Sequence, residues 1–205
     1  AAMINLINHE RRAHIVTIED PIEFLYEPAQ CIIKQRQLGT DMLSFGQGLK
    51  HVLRQDPNVI LVGEMRDLET IASTITLAET GHLVLATLHT LNAAQTIDRI
   101  IDSFPAGQQG QISSQLAATL VGIVSQRLVP RIEGGRTPAA EVMFVNAATR
   151  NLISENKVYQ IDLVIETSIQ EGMTTLNRSL AELVKKKEVS LENAELYSSN
   201  PSVLR

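Results

Sequence analysis

The sequence has 205 residues, of which 44% are hydrophobic, 20% charged and only 3% aromatic, so we expect an aliphatic core. Its net charge of −5 argues against a nucleic-acid-binding surface, which requires a basic face. A single cysteine cannot form an internal disulfide, which favours a reducing, cytoplasmic compartment. Because no apolar run exceeds four residues, we expect no membrane-spanning helix and no signal peptide. Any membrane association is then expected to go through a partner.

The first residues predict a helix that begins without a cap. Apolar residues at positions 3, 4, 6 and 7 fit one side of a helix. No Ser, Thr, Asp or Asn precedes them as an N-cap, and position 1 is not a methionine. We therefore expect the chain to be a fragment of a longer protein.

Strands and helices then alternate along the chain. The apolar runs predict strands at 14–18, 59–62 and 83–87, with a strand-like segment inside 28–37. Helical patterns and caps predict helices at 44–55, 67–81, 92–104 and 108–122. This alternation predicts an α/β fold with a parallel sheet and helices on its faces. The strands predicted at 59–62 and 83–87 are short apolar runs bounded by turn signals, so we expect each to be buried on both faces.

The pattern changes beyond residue 107. Apolar segments at 124–129 and 140–145 flank Gly134-Gly135 and predict an antiparallel hairpin at a sheet edge. From Ala147 onward the chain is mostly helical. The segment 174–187 places its leucines on one side and ends in three lysines, which suit the negative end of a helix dipole.

Ionisable side chains lie at the ends of the predicted parallel strands. Glu64 follows strand 59–62, Glu19 and Asp20 end strand 14–18, and His82 and His89 bracket strand 83–87. In open parallel sheets, ligands bind beyond the carboxyl ends of the strands. A charge beside a dry core also requires compensation. We therefore expect all five side chains to converge where the terminal phosphate of a nucleotide would lie. The alternatives are a solvated turn at Glu64 and structural histidines.

These residue types suit nucleotide hydrolysis. Glu64 is the candidate general base, a role typically worth about 10²–10⁴ in rate. Glu19 and Asp20 are candidates to hold the hydration shell of Mg²⁺, which uses few protein oxygens. The imidazoles of His82 and His89 are candidate hydrogen-bond donors to a phosphate oxygen.

The phosphate-binding loop that such chemistry requires has no counterpart in the sequence. No G-x-x-x-x-G-K-[ST] pattern occurs, and the segment 46–50 lacks its spacing. Without a loop of backbone N–H groups around the phosphates, we expect this chain by itself to bind nucleotide poorly.

Four blocks of sequence together resemble the secretion and pilus ATPases of the type II/type IV class, and most closely the PilT-type pilus retraction motors. Residues 17–24 resemble the family's Asp box, 53–67 its Walker B signature and 80–90 its His box. The last block, 148–155, resembles the C-terminal motif of the retraction subgroup, and the matching residues are Arg150, Asn151, Leu152, Ile153 and Glu155. The departures from the usual pattern are Gln37, Asn58, Thr149 and Ser154.

The resemblance implies a specific organisation and chemistry. It implies a RecA-like core at 1–145, a helical C-terminal subdomain at 146–205, and a phosphate-binding loop and amino-terminal domain outside the chain. ATP and Mg²⁺ would be the cofactors, and no dedicated protein cage would hold the metal. The implied catalytic residues are Glu64, Glu19, Arg66 and His82, and the nucleotide- or Mg²⁺-binding residues are Asp20, Glu19, His82 and His89. The complete protein would be a homo-hexamer at the cytoplasmic face of the inner membrane, docked on a pilus platform protein.

Three alternatives stay open. The first is a pilus assembly or type II secretion ATPase of the same superfamily, although one cysteine excludes a four-cysteine zinc module within this stretch. The second is an inert chain that acts only through protein contacts. The third is a His/carboxylate metalloprotein, which the spacing of His82 and His89 across a strand fits poorly.

Overall fold

The computed structural model describes residues 1–204 and divides into two compact units. The first unit is Ala1–His89, and the second begins at Thr90. This division falls inside the span predicted as one core, and the domain boundary predicted at residue 145 stays a prediction. None of the described helices is both long enough and apolar enough to cross a membrane.

The amino-terminal unit is built on a four-stranded parallel sheet. Its strands are β1 (His14–Glu19), β2 (Ile32–Gln37), β3 (Val59–Val62) and β4 (Leu83–Ala86), in the order β2-β1-β3-β4. Its helices are α1 (Ala2–Glu10), α2 (Phe45–Val52) and α3 (Leu68–Glu79). The α/β class and the predicted parallel sheet flanked by helices are confirmed.

Different helices pack on the two faces of this sheet. Ile4 of α1 lies in a buried cluster with Ile15 and Val59, which point to one face. On the opposite face, a Cβ atom added to Gly48 of α2 would lie 3.2 Å from Cδ1 of Ile18. The central strands β1 and β3 are therefore enclosed, which explains their apolar sequences.

The prediction that β4 is buried on both faces is wrong. Leu83, Val84 and Leu85 are only half-buried, and Ala86 is exposed. The reason is that β4 is an edge strand, with β3 as its one strand partner among residues 1–204. An apolar run in the sequence cannot reveal whether a strand is central or lies at an edge.

Side-chain caps start the helices that follow the strands. The carboxylate of Asp67 accepts a hydrogen bond from the backbone N–H of Thr70 at 2.9 Å, as the sequence predicts. The hydroxyl of Ser44 does the same for Gln47 at 3.2 Å. Past the end of α3, Gly81 has a φ angle of +93°, a conformation that favours glycine.

The second unit combines a hairpin with six α-helices in its described residues. Its strands are β5 (Gly122–Pro130) and β6 (Arg136–Phe144), and its helices are α4 (Ala93–Asp102), α5 (Ala106–Thr119), α6 (Ala147–Ser154), α7 (Ile161–Thr167), α8 (Leu176–Lys185) and α9 (Leu191–Tyr197). The predicted antiparallel pairing around the glycine turn is confirmed. Its expected position at the edge of a larger sheet is wrong, because β5 and β6 form a two-stranded sheet of their own. The hairpin instead buries Val129 and Ala139 against Leu180 of α8.

Candidate active site

Glu64 reaches the carboxyl edge of the sheet because the chain turns at Gly63. The N–H of Gly63 donates to the carbonyl oxygen of Ile18 at 2.7 Å. A Cβ atom on Gly63 would lie 3.0 Å from that oxygen and 3.1 Å from Cα of Glu19, so glycine permits this close approach. The N–H of Met65 then donates to the carbonyl of Thr87 at 3.1 Å, which ties the ends of β3 and β4 together.

Glu64 lies between two basic side chains. One carboxylate oxygen is 2.6 Å from Nη2 of Arg66, and the other is 3.1 Å from Nε2 of His89. Nη1 of Arg66 also lies 3.5 Å from Oδ2 of Asp20. We call Asp20, Glu64, Arg66 and His89 the edge cluster. The side chain of Glu64 is 20% exposed, whereas those of Arg66 and His89 are 62% and 78% exposed, so solvent reaches the cluster from the side of Arg66 and His89.

The edge cluster keeps Glu64 in its charged form. The hydrogen bond from Arg66 is the largest cause that lowers the pKa of Glu64, and the charges of Arg66 and His89 add to it against the opposing effect of burial. Glu64 in turn raises the pKa of Arg66. At neutral pH Glu64 is therefore a carboxylate, the form that a general base requires.

The two carboxylates that end β1 have different surroundings. Glu19 is buried, and its Oε1 accepts hydrogen bonds from Oγ1 of Thr17 at 2.6 Å and from Nε2 of Gln35 at 3.1 Å. Asp20 instead pairs with Arg66. The described residues show no direct contact between the carboxylates of Glu19 and Glu64. The structure thus brings Asp20 into the edge cluster and places Glu19 beside it, next to Gly63.

The expected convergence of His82 with the carboxylates is wrong. The β3–β4 register pairs Val59 with Leu83, so His82 precedes β4 at the amino edge of the sheet. Glu64 follows the opposite end of β3, a four-residue strand that rises about 3.3 Å per residue. The ring of His82 instead lies 3.1 Å from the carbonyl oxygen of Leu77. The sequence held this signal, because residues that precede a parallel strand lie at the edge opposite the ligand.

A cleft of about 330 Å³ opens beside the edge cluster. Asp20, Glu64 and Arg66 line one side, and the start of α2, at residues 44–46, lines another. Carboxylate oxygens are the ligands that Mg²⁺ prefers, and the guanidinium and imidazole groups complement phosphate charge, so the residues present fit a hydrated Mg²⁺ and a terminal phosphate. Within residues 1–204, no three His, Cys, Asp or Glu side chains form a group that could hold a metal by themselves. Sequence reasoning missed the start of α2, which carries no charged motif.

Residues 148–155 form the second region singled out by the sequence, and together with the two residues before them, 146 and 147, we call them the α6 segment. Asn146 and Thr149 form a capping box at its start. The hydroxyl of the buried Thr149 accepts a hydrogen bond from the backbone N–H of Asn146, which an apolar side chain could not do. Nε of Arg150 donates to the carbonyl oxygen of Ala117 at the end of α5, at 3.1 Å. Ile153 is buried, and the remaining motif residues are half-buried Leu152, exposed Asn151 and exposed Glu155, which pairs with Lys157 at 2.7 Å.

Comparison with known proteins identifies relatives over nearly the whole chain. The family model for "Type II/IV secretion system protein" matches residues 1–134. The chain is 50% identical over 201 residues to the "Type IV pilus retractation ATPase PilT" of Pseudomonas aeruginosa, a match that covers 98% of this chain and 58% of that protein. It is 49% identical to a "Twitching motility protein" of Neisseria gonorrhoeae, covering 98% and 54%.

The fold agrees with these matches. A crystal structure of the pilus retraction motor PilT with bound ADP superposes with a TM-score of 0.90 at 46% identity, covering 98% of this chain and 57% of that one. The chain therefore spans between half and three fifths of the length of these three proteins.

Proposed function

The chain belongs to the Type II/IV secretion system protein family, and from that premise we propose that it is the carboxyl-terminal part of an ATP-hydrolysing motor for type IV pilus retraction. The observation that carries the proposal is Glu64, which is ionised and lies between Arg66 and His89 at the ligand-binding edge of a parallel sheet. The relatives named as retraction and twitching proteins match 98% of the chain, which also includes the α6 segment.

In this proposal Glu64 is the general base. Its carboxylate accepts a proton from the water that attacks the terminal phosphate as the bond from that phosphate to ADP breaks and ADP leaves. The lowered pKa favours the ionised carboxylate before that step. Arg66 must loosen its hydrogen bond to free an oxygen of Glu64, and its high exposure leaves it room to move. Once free, the guanidinium can stabilise the charge that develops on the phosphate, as can the ring of His89.

The carboxylates that end β1 serve the metal in this proposal. Asp20 and Glu19 would hold water molecules of the Mg²⁺ hydration shell, because Mg²⁺ retains several waters and uses few protein oxygens. Mg²⁺, when bound, neutralises phosphate charge. His82 lies at the other edge of the sheet, so we assign it no contact with the phosphate and regard it as a residue that holds the turn between α3 and β4.

The remaining parts of the motor come from outside this chain in our proposal. A phosphate-binding loop is supplied by the portion of the protein that the matches do not cover, and the chain alone is then inactive. By family resemblance, the complete protein is a cytoplasmic homo-hexamer that docks on a platform protein at the inner membrane. Residues Arg150, Asn151, Leu152, Ile153 and Glu155 serve retraction rather than hydrolysis.

The proposal is tested in a chimera, in which this chain replaces the matching stretch of the Pseudomonas aeruginosa relative. We expect Glu64→Gln to lower kcat for ATP hydrolysis by about 10²–10⁴-fold, because the amide cannot accept the proton. ATP binding, measured as Kd by equilibrium titration, should remain intact. Glu182→Gln, which removes a carboxylate from an exposed ion pair in α8, is the matched control. Turnover near the wild-type rate in Glu64→Gln would refute the assignment.

A further inference from the structure

One side-chain amide links Glu19 to the loop that follows it. Nε2 of Gln35 donates to Oε1 of Glu19 at 3.1 Å and to the carbonyl oxygen of Phe24 at 2.8 Å. Oε1 of Gln35 accepts from the backbone N–H of Tyr26 at 3.1 Å. Both amide hydrogens and the amide oxygen are therefore engaged, which fixes the orientation of the group.

The strand register explains why these groups meet. Thr17 of β1 lies directly opposite Gln35 of β2 in the parallel pairing, and Glu19 follows Thr17 by two residues on the same face of the sheet. The hydroxyl of Thr17 donates to the oxygen of Glu19 that also accepts from Gln35. Two neutral donors therefore hold one carboxylate oxygen of a buried side chain.

The other oxygen of Glu19 is treated differently. Oε2 accepts no hydrogen bond from the residues that the structure describes. It is not fully enclosed by protein atoms either, so solvent can reach it. A buried carboxylate with one oxygen satisfied and the other left for solvent is suited to accept a hydrogen bond from a metal-bound water.

We propose that Gln35 is a positioning residue for Glu19: with Thr17 it holds Oε1 inward and leaves Oε2 for a water of the Mg²⁺ hydration shell. This inference rests on the proposed function, because it assumes that Glu19 serves the metal. Gln35 itself touches neither metal nor nucleotide. Gln35 also holds the loop after β1 against β2 through the backbone of Phe24 and Tyr26. One amide group therefore fixes the position of both the Glu19 carboxylate and this loop.

The Mg²⁺ dependence of turnover in the chimera tests the inference. We expect Gln35→Met and Thr17→Val to raise the Mg²⁺ concentration at half-maximal turnover by about 10–100-fold, the range found when partners of metal-binding groups are removed. Thr17→Ser keeps the hydroxyl and should restore wild-type behaviour. If Gln35→Met does not fold, as judged by its circular dichroism, the Thr17→Val and Thr17→Ser pair still decides the question.

Gln37 offers a matched control on the same strand. Its amide oxygen accepts from the N–H of Ile22 at 3.1 Å, so it ties the same loop to β2. Gln37 lies opposite Glu19 in the strand register, but none of its described hydrogen bonds goes to the Glu19 carboxylate. We expect Gln37→Met to retain the wild-type Mg²⁺ dependence. Equal shifts in Gln35→Met and Gln37→Met would show that loop packing alone matters and would overturn the inference.

Glu19→Gln separates this inference from the proposed function. If Glu19→Gln turns over like the wild type, the metal role of Glu19 fails, and the inference fails with it. If Glu19→Gln loses turnover while both Gln35→Met and Thr17→Val keep the wild-type Mg²⁺ dependence, the positioning role alone is refuted.

Discussion

The edge cluster and the α6 segment hold their charged groups in opposite ways. In the edge cluster, Asp20, Glu64 and His89 come from the ends of three strands, and Arg66 bridges two of them. Within residues 1–204, Arg150 is the one motif residue of the α6 segment whose side chain hydrogen-bonds to another helix, and that bond goes to a backbone carbonyl. The edge cluster thus places a guanidinium group between two carboxylates. The α6 segment instead uses its polar side chains to cap a helix and to contact a neighbouring helix. We therefore expect changes in the edge cluster to alter chemistry and changes in the α6 segment to alter contacts.

After Glu64→Gln, the largest difference between the two regions should come from Arg66→Gln in the chimera. Loss of the guanidinium removes the closest partner of Glu64 and the bridge to Asp20. We expect kcat for ATP hydrolysis to fall about 10²-fold, as when one preorganised donor is removed from a charged transition state. Arg178→Gln, in the exposed ion pair of α8, is the matched control and should keep its turnover.

The pH dependence of the same variant sharpens the prediction. Arg66 lowers the pKa of Glu64, so its loss raises that pKa toward the ordinary value of 4.5. Because the base must be ionised, the acid limb of the kcat/KM profile should move to higher pH in Arg66→Gln. An unchanged acid limb, or one that moves to lower pH, would contradict a direct hydrogen bond between Arg66 and the catalytic base.

A smaller effect, confined to local stability, is expected from Asn146→Ala. The substitution removes the side-chain oxygen that accepts from the N–H of Thr149, a loss that typically costs about 1 kcal/mol. In the chimera, amides in the first turn of α6 should lose hydrogen-exchange protection while ATP turnover is retained. Asn151→Ala, at an exposed position of the same helix, should preserve protection. Equal protection in the two variants would show that the capping box contributes little.

The smallest effect on turnover should come from Arg150→Gln and Leu152→Ala. Both belong to the α6 segment, which we place outside the hydrolytic chemistry. We expect wild-type ATPase rates from the purified chimera but impaired twitching motility in cells that depend on it. An equal loss of ATPase activity and motility would contradict our assignment of the α6 segment to retraction and not to hydrolysis.

Much of the fold could be predicted because its signals are local. The strand at 59–62, the cap at Asp67 and the antiparallel pairing of β5 with β6 depend on residues that are close together in the chain. Most of the candidate site could be predicted for a related reason. In a parallel sheet, residues that follow the strands share one edge, which correctly placed Asp20, Glu64 and His89 in one cluster.

The sequence alone determined the element types, the acidic edge of the sheet and the resemblance to a family of motor ATPases. The tertiary structure alone decided that β4 is an edge strand, that His82 lies at the opposite edge and that Gln35 faces Thr17 beside Glu19. The reason is physical: periodicity and capping depend on neighbours along the chain. Strand order, strand direction and register depend on which backbones pair in space.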